Sequence, residues 1–240
     1  MDYSERLLRR GNILTRLSHR RRFACTADLL GHMKNVTVLD FGCADGFLLW
    51  ELQGCGVVGS GYGVDEDPDA LELARHSFAE IPGFDFYPAS EQERVPPGTC
   101  DLAICTETLE HVNDPARALE YIVSRCKPGA TLLVSVPIEV GPSLLGKQFG
   151  RYLANLKGHY GYPRYSWLEL MSAGFLGMVH RRQLALALGR EQRRGHKGFD
   201  YREIGRELTK RSTIRSVTYT PLPWFGPFAN STVIWICSIP

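Results

Sequence analysis

Between Val36 and Gly46 a short apolar strand, an acidic residue and a glycine turn follow one another directly. Val36, Val38 and Leu39 form the aliphatic, β-branched run of a strand buried in a parallel sheet. The run ends on Asp40, turns through Gly42 and Gly46, and enters Phe47-Leu-Leu-Trp50 and Leu52 at helical spacing. Strand, glycine turn and helix together place a backbone-lined crevice at the carboxyl end of a sheet, where doubly wound folds bind ligands.

The next strand narrows the ligand. Gly59 to Val64 ends on a second acid, Asp65, nineteen residues beyond Gly46. A carboxylate there is placed to accept both hydroxyls of a ribose. A dinucleotide fits poorly, because the middle glycine that lets backbone approach a pyrophosphate is replaced by Ala44. Asp40 and Asp45 flank that position, and their charge would repel a diphosphate but attract a cation. The pattern suits a nucleoside that carries a positive charge.

These residues resemble the cofactor site of class I S-adenosylmethionine-dependent methyltransferases. The resemblance rests on Asp40-Phe-Gly-Cys-Ala-Asp-Gly46 and on Gly63-Val-Asp-Glu-Asp67. Asp101-Leu-Ala-Ile-Cys-Thr-Glu-Thr-Leu-Glu-His111, then Lys127-Pro-Gly129 and Leu132 to Pro137, are similar to the small-molecule branch that contains the quinone-biosynthesis methyltransferases. It implies a Rossmann-like, seven-stranded, mostly parallel sheet with helices on both faces and an antiparallel last strand. S-adenosylmethionine is the implied cofactor.

A chain of 240 residues has room for one domain with a substantial core. Hydrophobic content of 44% and a mean hydropathy of −0.17 predict a globular, soluble chain. Its N-terminus is charged and lacks an apolar stretch, so no secretory signal is expected. Seven cysteines without a Cys-x-x-Cys spacing read as reduced, structural and cytoplasmic.

The net charge of +2 hides a segregation. Residues 37–138 carry 5 Lys and Arg against 17 Asp and Glu, whereas residues 139–199 carry 10 against 3. An acidic core flanked by basic segments predicts solvated faces or recognition of an anionic acceptor or membrane surface.

Residues 1–35 read as a helical arm, and in the resembling family such an arm lies over the cofactor. The domain proper spans 36–240. Asp67-Pro68 and Asn113-Asp114-Pro115 are helix starts, the acid capping and the proline opening the first turn. Lys127-Pro-Gly129 is expected to end the second of these helices, with the fifth strand starting at Thr131. Residues 139–199 break the alternation with glycines and interleaved aromatics and are expected to form a helical insertion, a substrate lid. Within it Leu144, Leu145, Phe149, Tyr152, Leu153 and Leu156 form a stripe that either packs on the sheet or meets a membrane. Pro221 to Pro227 is expected to be the tight hairpin before the last strand.

By position the resemblance assigns Asp40 to the cofactor's amino group and the backbone of Gly42, Cys43, Ala44 and Gly46 to its methionine part. Asp65, with Glu66 beside it, is assigned to the ribose. The family's adenine-binding acid is replaced by Ser90-Glu91, and Thr106 ends the fourth strand at the crevice. His111 is the first candidate to accept a proton from the acceptor, with His159 and then His196 behind it. Neither metal nor nucleic acid is called for by the pattern. The expected acceptor is a small-molecule, glycan-linked or lipid-like compound, methylated at oxygen, nitrogen or carbon. Two other readings are a nicotinamide-dependent oxidoreductase and a non-catalytic S-adenosylmethionine-binding regulator.

Overall fold

The computed structural model describes residues 24–155, 166–175 and 199–240, with side chains for all of these but 149–155 and 175. A helical stretch over 24–30 leads into β1 (Val36–Phe41). There follow α1 (Phe47–Gly54), β2 (Val58–Asp65), α2 (Pro68–Ser77), β3 (Phe84–Pro88), β4 (Cys100–Thr106), α3 (Pro115–Arg125) and β5 (Cys126–Pro137). The chain continues through α4 (Pro142–Asn155), α5 (Trp167–Phe175), α6 (Tyr201–Arg211), β6 (Thr213–Thr220) and β7 (Thr232–Ser238).

The seven strands lie in the order β3-β2-β1-β4-β5-β7-β6. All neighbours from β3 to β5 are parallel, and β7 runs antiparallel to both β5 and β6. Strand alternation divides the core. Val38, Leu102, Ile104 and Leu133 face α1 and α2, with Leu30 of the N-terminal helical stretch in the same cluster. Leu39, Ala103, Leu132 and Val134 face α3 and α6 on the opposite side. Both faces of the central strands are therefore covered, which is why they are apolar at nearly every position. The order reverses between β1 and β4, so a switch-point crevice opens beyond Asp40 and Thr106.

The predicted caps form. Asp67 Oδ1 accepts from the N–H groups of Asp69 and Ala70, and Asp114 Oδ1 accepts from those of Ala116 and Arg117. All seven cysteines are free, with Cys43, Cys105 and Cys126 buried as expected. Among the described residues no helix is long and apolar enough to cross a membrane.

Two expectations are corrected. Lys127-Pro-Gly129 does not end α3; the helix stops at Arg125 and β5 already begins at Cys126. Cys126 pairs with Cys100 before Thr131 pairs with Leu102, so the intervening residues bulge from the strand, with Gly129 at a φ of +80°. The connection before β7 is no tight hairpin either. Thr220 and Thr232 face each other across a wide loop containing a 3-10 turn, Pro223–Phe228. Asn230 holds that loop, its side chain accepting from Leu222 N and donating to the carbonyls of Leu222 and Gly226.

Of the two alternatives for the stripe on α4, its start takes packing against protein. Leu144 is fully buried and Leu145 packs against Gly174 of α5, so the start of the stripe faces protein. Its remaining members, the insertion over 156–165 and 176–198, and the arm before residue 24 lie outside the described side chains.

Candidate functional site

Asp40, the last residue but one of β1, lies between Gly63 of β2 and Ile104 of β4. It is 2% exposed, and Oδ1 has no hydrogen-bond partner among the described residues. Burial, and secondly the charge of Asp65, push its carboxyl up to about 8. A buried carboxylate without a partner is costly, and a cationic donor placed beside it relieves that cost.

The turn after it takes three left-handed residues, Gly42 at a φ of +85°, Ala44 at +47° and Gly46 at +72°. Alanine is uncommon there, and its N–H is held by Asp65 Oδ2 at 2.8 Å. The other carboxylate oxygen of Asp65 accepts from Asp67 N at 2.9 Å. Each oxygen keeps further lone-pair capacity for a hydroxyl donor. The N–H groups of Gly42 and Cys43 both go to Val64 O, at 2.7 and 3.1 Å, and that of Gly46 goes to Cys43 O at 2.9 Å.

The turn therefore spends these donors on its own chain. A phosphate cradle requires the opposite, N–H groups aimed outward. A cationic group that donates hydrogen bonds fits this turn, and a diphosphate does not.

The glycines are needed for packing. A Cβ on Gly42 would stand 2.1 Å from Thr108 Oγ1, so protein, rather than ligand alone, excludes a side chain there. Thr108 in turn donates to Thr106 O at 3.0 Å, tying the end of β4 to the turn after β1. A Cβ on Gly46 would press on Ala74 of α2, and one on Gly63 would strike Phe86 and the sulfur of Cys43. That sulfur is buried, and desolvation, then Asp40 and Asp65, push the thiol well above its ordinary value. A thiol buried in this way is a poor nucleophile.

Glu66 is exposed beside Asp65. Ser90 and Glu91 are exposed on a 3-10 turn, Ala89–Arg94, and Glu91 Oε2 already accepts from Arg94 at 2.8 Å. Arg94 lies over the Tyr87 ring at 4.5 Å. Arg125 of α3 fastens the following residues, donating to Val95 O and to Glu93.

Thr106 is half-buried at the end of β4, and Glu107 follows with a φ of +53° while donating its N–H to Ser135 O. His111 is exposed, with Nε2 3.8 Å from Oε1 of the fully buried Glu110. His159 and His196 lie outside the described residues. The crevice therefore brings together Asp40, the turn, Asp65 and Thr106, while Ser90 and Glu91 remain on the surface.

Thr108 and the buried Glu110 were not assigned from the sequence, and Asp45, read there as a charge that attracts a cation, is itself buried. Asp45 had a signal in its acidic neighbourhood. Thr108 had none, since only the folded contact with Gly42 reveals it.

Among the described residues no cluster of three His, Cys, Asp or Glu side chains is arranged to hold a metal ion.

Comparison with known proteins bears on the fold and the family. Relatives named ubiquinone biosynthesis O-methyltransferase include one from Thiobacillus denitrificans, 33% identical over 41% of this chain and 43% of its own. Another, from Paraburkholderia xenovorans, is 31% identical over 58% of this chain and 61% of its own. The chain thus spans about two fifths to three fifths of the length of these curated relatives. The magnesium protoporphyrin IX methyltransferase of Synechocystis, solved with bound S-adenosylhomocysteine, has the same fold. It superposes with a TM-score of 0.62 at 16% identity, covering all of this chain and 94% of that one. Residues 9–188 match the family described as "Methyltransferase domain", and the chain belongs to that family.

Proposed function

We propose that this chain binds S-adenosylmethionine in the crevice between β1 and β4 and transfers its methyl group to a small or lipid-like acceptor. The observation that carries the reading is the buried Asp40 Oδ1, without a described partner, beside a turn whose N–H groups are turned inward. Family membership supports transfer over mere binding.

When bound, the cofactor supplies a methyl group already activated by the positive charge on sulfur. The chain's share is to bind, orient and exclude water, and orientation alone is worth several kcal/mol. Asp40 accepts from the ammonium group, directly or through a water. Asp65 accepts from the ribose hydroxyls while its N–H partners at Ala44 and Asp67 keep it aimed. Ser90 or Glu91 serves the adenine edge, Glu91 after releasing Arg94. Thr106 borders the acceptor side. His111, half-exposed beside buried Glu110, is the candidate to take the acceptor's proton at Nε2.

The names of the relatives favour an acceptor oxygen over nitrogen or carbon. The excess of basic residues over 139–199 favours an anionic or glycan-linked acceptor, with that segment as its lid. Seven free cysteines accord with a cytoplasmic location.

The test is transfer of label from methyl-labelled S-adenosylmethionine into an extract of the source cell, separated into organic, aqueous and macromolecular fractions. Label entering one fraction with the wild-type chain and not with Asp65→Ala supports the proposal and identifies the acceptor class. A wild-type chain that moves no label into any fraction rejects it.

A further inference from the structure

The face of the sheet that meets α1 and α2 is apolar until it reaches the crevice. Val38, Ile104, Leu133 and Ile234 lie in its core. Leu39 and Phe41, on either side of Asp40, and Val134 and Val136, on either side of Ser135, lie in the opposite core. Alternation along the strands therefore puts Asp40 and Ser135 on the α1 and α2 side, and Thr106, two residues beyond Ile104, falls between them. Thr106 pairs with Ser135, and Ser135 pairs with Ile234. A polar row across β1, β4 and β5 thus ends an apolar face.

Asp40 is not alone in this row in being buried without satisfaction. Ser135 is 0% exposed, and its Oγ, like Asp40 Oδ1, has no hydrogen-bond partner among the described residues. The Ser135 carbonyl is already committed, since it accepts from Glu107 N at 2.9 Å, so the hydroxyl is what remains to serve a ligand. Thr26 Oγ1 is a further buried hydroxyl without a described partner. It comes from the helical stretch over 24–30, one turn before Leu30, which packs in the core of this same face. Buried hydroxyls left unmade are costly, and a ligand that bonds to them removes the cost.

Resting on the reading that the crevice binds S-adenosylmethionine, we infer that Ser135 Oγ donates to the carboxylate of the cofactor's amino-acid end while Asp40 accepts from its ammonium group. An α-amino acid carries both groups on one carbon, so its site needs an acceptor and a donor turned to the same space. This row supplies them. Ser135 lies two strands from Asp40 and one step further along, on the order of 12 Å between backbones, a gap that two side chains, two hydrogen bonds and the headgroup can fill. The order β2-β1-β4-β5 also puts Ser135 on the side of Asp40 away from Asp65, where a carboxylate meets least repulsion. Thr106, half-buried between them, adds a second hydroxyl to the row. The methyl acceptor is a weaker partner for Ser135, because a ligand in this row must satisfy Asp40 as well.

The experiment is calorimetric titration of wild type and Ser135→Ala with S-adenosylhomocysteine and with its analogue in which hydrogen replaces the carboxylate. Ser135→Ala should bind S-adenosylhomocysteine roughly tenfold more weakly, the loss expected for one hydrogen bond to a charged group. The analogue should bind wild type and variant equally. Thermal melts without ligand give a second readout. Removing a buried hydroxyl that has no partner costs the free protein nothing, so the variant should melt no lower than wild type. Equal S-adenosylhomocysteine affinity in wild type and variant overturns the inference. So does an equal loss for both ligands, or a ligand-free variant that melts well below wild type, since either makes Ser135 structural. Wild type that binds neither ligand rejects the reading of the crevice itself, and this inference with it, so the two failures are distinct.

Discussion

Ala44 N and Asp65 Oδ2, twenty-one residues apart, meet at 2.8 Å, and this bond makes the turn after β1 and the end of β2 one unit. It explains how an alanine holds a left-handed conformation that a glycine would take freely. It also fixes the carboxylate proposed to receive the ribose.

Asp65→Ala removes two hydrogen bonds that the carboxylate accepts from backbone N–H groups, as well as the proposed ribose contact. Hydrogen bonds to charged groups are worth about 1.5–3 kcal/mol each. S-adenosylhomocysteine affinity, measured by calorimetry, should fall at least about tenfold. Unchanged affinity would remove Asp65 from the site.

Asp40 makes the ligand-free protein sensitive to pH. Its folded pKa, about 8, lies above the unfolded value of about 4, so between these values the native state holds a proton that the unfolded state has lost. The contribution is full below about pH 4 and disappears as pH rises to about 8. The melting temperature of the free protein should fall over that window, and Asp40→Asn should flatten the fall. A slope equal in wild type and Asp40→Asn would show that other groups set it.

Gly42→Ala should be destabilising for two separable reasons. A left-handed non-glycine residue costs about 1–3 kcal/mol, and the new Cβ strikes Thr108. Adding Thr108→Gly should restore the steric part and leave the conformational part, which thermal melts of the single and double variants would resolve. Equal melting temperatures for Gly42→Ala and the double variant would deny the contact.

Lys147 of α4 donates to Ile138 O, Ser231 O and Glu139 Oε1, at 2.7, 3.0 and 3.1 Å. Lys147→Met leaves the buried Glu139 carboxylate without its ammonium and cuts α4 from the ends of β5 and β7, at a cost of up to about 3 kcal/mol. Faster proteolysis between residues 139 and 199 than in wild type would show it, and cleavage at the wild-type rate would contradict it.

Position near the crevice predicts that His111→Ala lowers turnover more than cofactor affinity. Equal turnover in both proteins would take His111 out of the chemistry.

The sheet was legible because its determinants are local. β-Branched runs end on acids, and Asp67-Pro68 and Asp114-Pro115 announce helix starts that the folded chain uses. The turn at 42–46 was legible for the same reason, its glycines falling where left-handed backbone is required. Features set by long-range contact were not. Lys127-Pro-Gly129 looks like a helix stop, but pairing of Cys126 with Cys100 draws it into a strand as a bulge. Asn230 turns a proline-rich segment into a propped aromatic loop, a role no spacing announces. That Asp40 Oδ1 has no partner among the described residues likewise depends on how three strands close around it.

The crevice is proposed to take a cationic nucleoside and to refuse a diphosphate. Calorimetric titration of the wild-type chain with S-adenosylmethionine and, under the same conditions, with NADH tests it most directly. Saturable heat with S-adenosylmethionine and none with NADH is the predicted result. Comparable binding of NADH, or no binding of S-adenosylmethionine, would contradict the account.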